Sequence, residues 1–183
     1  MKASDFLRFD SKKKVYIAKS LIKNGGNGLY SLGKYIKNTP MVIYYGSIKT
    51  PQEIYDVYID NPNKYYQISD YLRGTPNSHV VCGDKSNDNL NLSGVYVNDI
   101  SSISCSKNEI NSSVLKKYAE SIQSCNLSVV ATLDYPVYVT NQRIKKGEEL
   151  YVHYGIGYWL SHIRFTPEEI SELNNKYEFM SFY

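Results

Sequence analysis

Apolar residues along the chain gather in short runs separated by glycine, proline and asparagine, the punctuation expected of a sheet-rich fold. Val15-Tyr16-Ile17-Ala18 reads as a strand, Lys23 to Gly28 as a tight glycine-rich turn, and Leu29-Tyr30-Ser31 as the return. Pro40 precedes Met41-Val42-Ile43-Tyr44-Tyr45-Gly46, an unbroken apolar run expected to form one buried strand. Thr50-Pro51-Gln52-Glu53 opens a short capped helix carrying Ile54, Tyr55, Val57 and Tyr58. Residues 60–79 are polar and proline-broken and are expected to be an irregular insertion. His79 to Cys82 is a further strand, followed by a polar loop from Asp84 to Asn91 and by Gly94 to Asp99.

A helix is expected over Asn108–Ser124, with Val114, Leu115, Tyr118 and Ile122 on its apolar face. Val129–Leu133 and Val137–Thr140 flank Asp134-Tyr135-Pro136 as a hairpin, and Leu150–Tyr154 is a last strand. Thr166-Pro167-Glu168-Glu169 forms a capping box for a C-terminal helix reaching about Tyr177. The expected fold class is therefore mainly β with peripheral helices (α+β).

Composition bounds the function classes. The 183 residues suffice for one domain with a core, and the 42% hydrophobic content argues against disorder. No apolar run is long enough for a membrane helix, and Met1 to Asp5 lacks a signal-peptide pattern, so a reducing, intracellular location without membrane contact is expected. Cys82, Cys105 and Cys125 are odd in number and widely spaced, which disfavours a disulfide framework. His79, His153 and His162 lack metal-ligand spacing, so no metal is expected.

Charge is unevenly placed. Residues 1–50 carry ten Lys/Arg against two acidic residues (net +8), and the remainder carries eleven against sixteen (net −5). Lysine supplies 17 of the 21 basic groups, whereas base readers lean on arginine, so nucleic-acid binding is expected to be weak at most. Nineteen tyrosines are the oddest compositional feature. Gly26-Asn27-Gly28 alone matches neither a dinucleotide fingerprint nor a P-loop, because Ser31 holds the sixth position and no Gly-Lys-Ser/Thr follows.

Taken in order, Gly26-Asn27-Gly28-Leu29-Tyr30, Tyr44-Tyr45-Gly46, Val97-Asn98-Asp99 and Lys146-Gly147-Glu148-Glu149-Leu150-Tyr151-Val152-His153-Tyr154-Gly155 resemble the SET-domain protein lysine methyltransferases. The last block is the most specific, with Ile144 before it and Tyr158-Trp159 after it. The resemblance spans about residues 15–160, with insertions near 60–79 and 101–125. A basic segment (1–14) precedes it, and a helix with an aromatic tail (161–183) follows.

The resemblance implies a fold of short sheets with a C-terminal pseudoknot and an S-adenosyl-L-methionine cofactor. It assigns cofactor binding to Gly26, Asn27, Gly28, Leu29, Asn98, Asp99, Tyr154 and Trp159. Tyr154 would be the catalytic tyrosine, and Tyr44, Val129, Val152 and Tyr158 would line the substrate channel. The chemistry suits such residues: a lysine amine, with a free pKa of about 10.4, must lose its proton before it can attack, and an aromatic channel disfavours the ammonium.

Two departures stand out. Asp99 replaces the histidine usual after the motif asparagine, and Asn126, the candidate for the family's second asparagine, follows the 108–124 helix. Small side chains at Val129 and Val152 imply di- or trimethylation. The implied substrate is a basic protein or peptide, a histone tail foremost, drawn by acidic residues from Glu148 onward. A homodimer through the aromatic tail is compatible with the sequence. Abundant Lys, Asn, Ile and Tyr with no zinc module suits a small viral or microbial enzyme acting on chromatin. Two other readings stay open: a degenerate SET domain serving as a protein-interaction module, and a basic nucleic-acid-binding domain using Lys12-Lys13-Lys14.

Overall fold

The computed structural model describes residues 2–3, 13–69, 71–75, 77–101 and 106–176. Most of the basic N-terminal segment, including Lys12, lies outside the described residues, as do Ser102–Cys105 of the serine-rich stretch and the aromatic tail from Tyr177. The chain is mainly β with helices around it. Among the described residues, eight short strands form three small antiparallel sheets.

Strands β1 (Val15–Lys19) and β2 (Asn27–Ser31) pair as a hairpin from Val15↔Ser31 to Lys19↔Asn27. Its loop is closed by the Ser20 amide donating to the Gly26 carbonyl at 2.9 Å, and Gly26 takes a φ of 65°, where a side chain would be strained. A second sheet has the order β3 (Pro40–Ile43), β8 (Val137–Thr140), β7 (Leu127–Val130), the last two forming a hairpin whose first strand lies two to three residues earlier than the expected Val129–Leu133. The third has the order β4 (Gly46–Lys49), β6 (Val80–Gly83), β5 (Leu72–Gly74).

The run Met41–Gly46 is not one strand. It divides at Tyr44, whose amide donates to Pro136 and whose backbone bridges Ser93, so β3 and β4 enter different sheets. Gly46 permits the step, because a Cβ there would collide with the Cys82 carbonyl. The 60–79 stretch is also more ordered than its composition suggests. After α1 (Pro51–Asp60), capped by Thr50 and Glu53 as expected, it forms α2 (Pro62–Ser69) and then β5. Leu150–Tyr154 pairs through single bridges rather than a regular ladder: Tyr30 with Glu149, and Asn98 with Tyr151.

The expected middle helix is α3 (Ser112–Ser121), flanked by short 3-10 turns, with Leu115 and Tyr118 buried. Sequence patterning missed α4 (Ile156–His162), a seven-residue helix starting after Gly155 at a φ of 89°. The C-terminal helix is α5 (Pro167–Lys176), with the Thr166 and Glu169 capping box in place. Two cores result. Val15, Leu29, Met41, Val81, Leu127, Tyr138, Leu150 and Val152 fill the sheet core. Leu115, Tyr118, Ile156, Leu160 and Phe165 join the last three helices in a second cluster, on which Trp159 packs. No helix among the described residues is long and apolar enough to cross a membrane.

Candidate functional site

A cavity of about 780 Å³ opens between the β1–β2 loop, the Val95–Ile100 segment, the third sheet and α4. One wall is the loop from Ile22 to Asn27. Glu149 holds this wall from behind and is only 1% exposed. Its carboxylate accepts from Ser20 Oγ at 2.6 Å, the Leu21 amide at 2.8 Å, Tyr151 Oη at 2.8 Å, Tyr30 Oη at 3.0 Å and Asn98 Nδ2 at 3.3 Å. Burial alone would raise the Glu149 pKa, but the hydrogen bonds from Ser20, Leu21, Tyr151 and Asn98 outweigh it and hold the carboxyl below its usual range. The same contact pushes the Tyr30 hydroxyl up to about 12, after burial. Asn98 Nδ2 also donates to the Asn27 carbonyl at 3.1 Å, fastening the tip of the loop.

The other wall is aromatic, and Asp99 holds it. This carboxylate, 5% exposed, accepts from the Tyr154 amide at 2.7 Å and Trp159 Nε1 at 3.0 Å through one oxygen. Its other oxygen takes the Ser101 amide at 2.8 Å and the Ser101 hydroxyl. Tyr154, Tyr158, Trp159 and His162 then form a continuous ring cluster, with Tyr154 and Tyr158 edge to face at 4.7 Å and Tyr158 and Trp159 at 5.0 Å. Asp99 is thus a clasp for the aromatic wall, a role that a histidine, with a single acceptor nitrogen when neutral, does not fill.

Tyr154 and Tyr44 also line the cavity, and the buried Tyr138 packs beside Tyr44 with ring centroids 6.0 Å apart. Tyr154 Oη donates to the Val97 carbonyl at 2.7 Å, and Tyr44 Oη donates to the Tyr71 carbonyl at 2.8 Å. Gly83 and Gly94 admit Tyr44 closely, since a Cβ at either position would strike it. Arg73 of β5 reaches into this group. Its Nε donates to Tyr138 Oη at 3.2 Å, its Nη1 to the Tyr154 carbonyl at 3.0 Å, and its Cζ lies 4.1 Å from the Tyr154 ring centroid and 5.7 Å from that of Tyr44. Burial pushes the hydroxyls of Tyr154 and Tyr44 far above the ordinary tyrosine range, in spite of the Arg73 cation. Both are neutral phenols at any working pH. Sequence reasoning passed over Arg73; the one signal was that it is among only four arginines in a lysine-rich chain.

The cavity brings together Gly26, Asn27, Asn98, Asp99, Tyr154, Trp159, Tyr44 and Tyr158 from the expected set. Four expected residues are placed elsewhere. Gly28 packs on Glu149, because a Cβ at this position would run into that carboxylate, and Leu29 is fully buried in the sheet core. Val152 is buried in the same core, its amide donating to the Asn98 carbonyl. Val129 faces outward on β7 at 44% exposure. Neither valine is among the residues lining this cavity. Asn126 clamps Tyr151 and Glu149 through backbone contacts at 2.8 Å and is likewise outside the lining.

The acidic attraction expected of the C-terminal part also changes. Glu149 is internal, Glu169 is paired with Lys107, and the cavity lining carries Lys23, Arg73 and Lys85 against the fully bonded Asp99. Lys85 Nζ donates to Tyr71 Oη at 2.9 Å and lies 4.4 Å from that ring. A scan against protein-family models finds no match to this chain, and a search of curated proteins finds no similar sequence.

Proposed function

We propose that the protein is an S-adenosylmethionine-dependent protein-lysine N-methyltransferase of the SET type. The observation that carries this reading is the convergence on one cavity of the Gly26-Asn27 turn, Asn98, Trp159 and Tyr154, drawn from the separate stretches that carry the family resemblance. The lining fits such a cofactor. Gly26 leaves open space where a side chain would stand, the loop offers backbone groups, Asn98 a side-chain amide, and Trp159 an aromatic face. Lys23 and Lys85 add positive charge suited to a carboxylate. When bound, the cofactor supplies an electrophilic methyl group on a sulfonium.

The protein's own residues then orient an amine. The Tyr154 phenol stays protonated and spends its hydrogen on Val97, so its oxygen lone pairs accept from an incoming amine N–H. Tyr154 therefore positions the nucleophile and does not act as a base. Segment 149–152, hydrogen-bonded to Leu29 on one side and to Asn98, Asn126 and Leu127 on the other, holds the tyrosine in place and supports the family reading.

Incubation with core histones and labelled cofactor, followed by mass-spectrometric site mapping, tests the assignment. Tyr154→Phe is expected to reduce transfer by about 100-fold or more. Transfer near the unmutated rate would reject the role given to Tyr154. A second reading, a domain kept for binding another protein, is favoured by the Arg73 guanidinium lying against Tyr154. Calorimetry separates the two: binding of S-adenosylmethionine that is weakened by Asn98→Ala supports the enzyme, and no binding supports the module.

A further inference from the structure

We infer that Arg73 is the residue that delivers the target lysine as a neutral amine, its fixed positive charge disfavouring an ammonium beside Tyr154. The inference rests on the methyltransferase reading and adds to it a residue that no sequence motif marks.

Arg73 lines the same cavity as Tyr154 and touches it directly. Its guanidinium covers one face of the Tyr154 ring at 4.1 Å and holds that residue's carbonyl, while Nε is fixed to Tyr138. A second cation entering the same tyrosine cluster faces a like charge in a poorly solvated space, and the neutral amine does not. A lysine placed beside another cation in this way has its pKa lowered.

Among the described lining residues one carboxylate, Asp99, opposes this charge, and the other groups are neutral or cationic. Tyr44 at the β3–β4 step, Tyr138 on β8 and Tyr154 are neutral phenols. From α4 come Tyr158, Trp159 and His162, and from the third sheet and its following loop come Tyr71 and Lys85. Lys23 lies on the loop wall. The His153 imidazole has its pKa lowered by burial, with Asp99 opposing and Arg73 reinforcing the shift. Asp99 is the carboxylate of the lining, and its two oxygens are spent on Tyr154, Trp159 and Ser101.

The chemistry balances. The lysine leaves its proton to water on entry, and its nitrogen lone pair forms the N–C bond. The C–S bond of the methyl donor breaks with its electron pair staying on sulfur, and the methylammonium product later loses a proton to water. A lower amine pKa makes each nitrogen somewhat less nucleophilic, but it raises the neutral fraction about tenfold per unit near neutral pH.

Two measurements test the inference. The first is the pH profile of kcat at saturating core histones, which reports the enzyme-bound amine, for the unmutated protein, Arg73→Lys and Arg73→Gln. The limb reporting amine deprotonation is expected near pH 8 to 9 in the unmutated protein, against about 10.4 for free lysine. Arg73→Lys is expected to keep that limb, and Arg73→Gln to raise it by about one unit. The second needs no turnover: calorimetry of a synthetic histone H3 tail peptide at about pH 9.5, in buffers of different ionisation enthalpy, counts protons released on binding. Release of roughly 0.7 to 0.9 of a proton is expected, reduced in Arg73→Gln.

A limb near 10.4 in the unmutated protein overturns the inference even if Arg73→Gln fails to fold. An unchanged limb in a folded Arg73→Gln overturns it as well, as does an equal shift in Arg73→Lys. No transfer by the unmutated protein rejects the methyltransferase reading, and the role of Arg73 with it. Transfer with an unmoved pH limb rejects the role of Arg73 alone.

Discussion

The two walls of the cavity each hang from a buried carboxylate, and the carboxylates are held differently. Glu149 collects donors from β1's exit, β2, Asn98 and its own neighbour Tyr151, so it joins four stretches of chain behind the loop wall. Asp99 gathers its donors from Ser101, two residues on, and from the Tyr154–Trp159 region that forms the aromatic wall. Neither is ion-paired with a lysine or arginine among the described residues. Both charges are stabilised by oriented dipoles, which fix direction as well as energy. The difference is one of reach: Glu149 ties the fold together, whereas Asp99 aims a single surface of it.

The largest effect should come from the wider web. Glu149→Ala strands several buried donors at once and is expected to cost about 3–5 kcal/mol, read by urea denaturation. Asp99→Asn keeps the shape but turns an amide N–H₂ toward donors that need an acceptor, with an expected cost of about 1–3 kcal/mol. Trp159 is the chain's only tryptophan, so its fluorescence should report this loosening directly. An Asp99→Asn protein as unstable as Glu149→Ala would erase the distinction between the two clasps.

Acid should act on the loop wall. The Glu149 pKa is depressed in the folded chain, so its stabilisation is present above the unfolded carboxyl pKa of about 4.3 and fades as pH falls through the folded value. Denaturation midpoints are expected to drop below about pH 4, and Glu149→Gln should flatten that part of the curve. The smallest effect is expected at Val129. Val129→Thr, on the outward face of β7, should change stability by less than about 0.5 kcal/mol, read by the same urea denaturation.

Features set by neighbouring residues were legible in the sequence. The capping boxes at Thr50 and Thr166, the β1–β2 turn and the β7–β8 hairpin are each specified within a few positions, and each is present. The candidate site was legible as far as the motifs extend: Gly26, Asn98, Tyr154 and Trp159 share one cavity. What was hidden depends on partners far along the chain. Asp99 looked like a defect until Tyr154 and Trp159 supplied its donors. Arg73 lies in a three-residue strand too short to show alternation, inside a stretch whose composition reads as loop. Tyr44 belongs to an apolar run whose division is imposed by Pro136 and Ser93.

The pairing of β5 with β6 bears on how the chain tolerates change. Arg73 stands opposite Val81, with Leu72 and Gly74 opposite Cys82 and Val80. Side chains alternate between the faces of a strand, so a slip of one residue would put leucine or glycine at the cavity and turn the guanidinium to the far side. The helices α1 and α2 before β5 can therefore vary in surface residues, and their connections in length, while the three-residue ladder keeps its register. A deletion of one residue between Ser69 and Val80 would be expected to do more harm than a larger excision from the α1–α2 hairpin, because only the first re-aims the site.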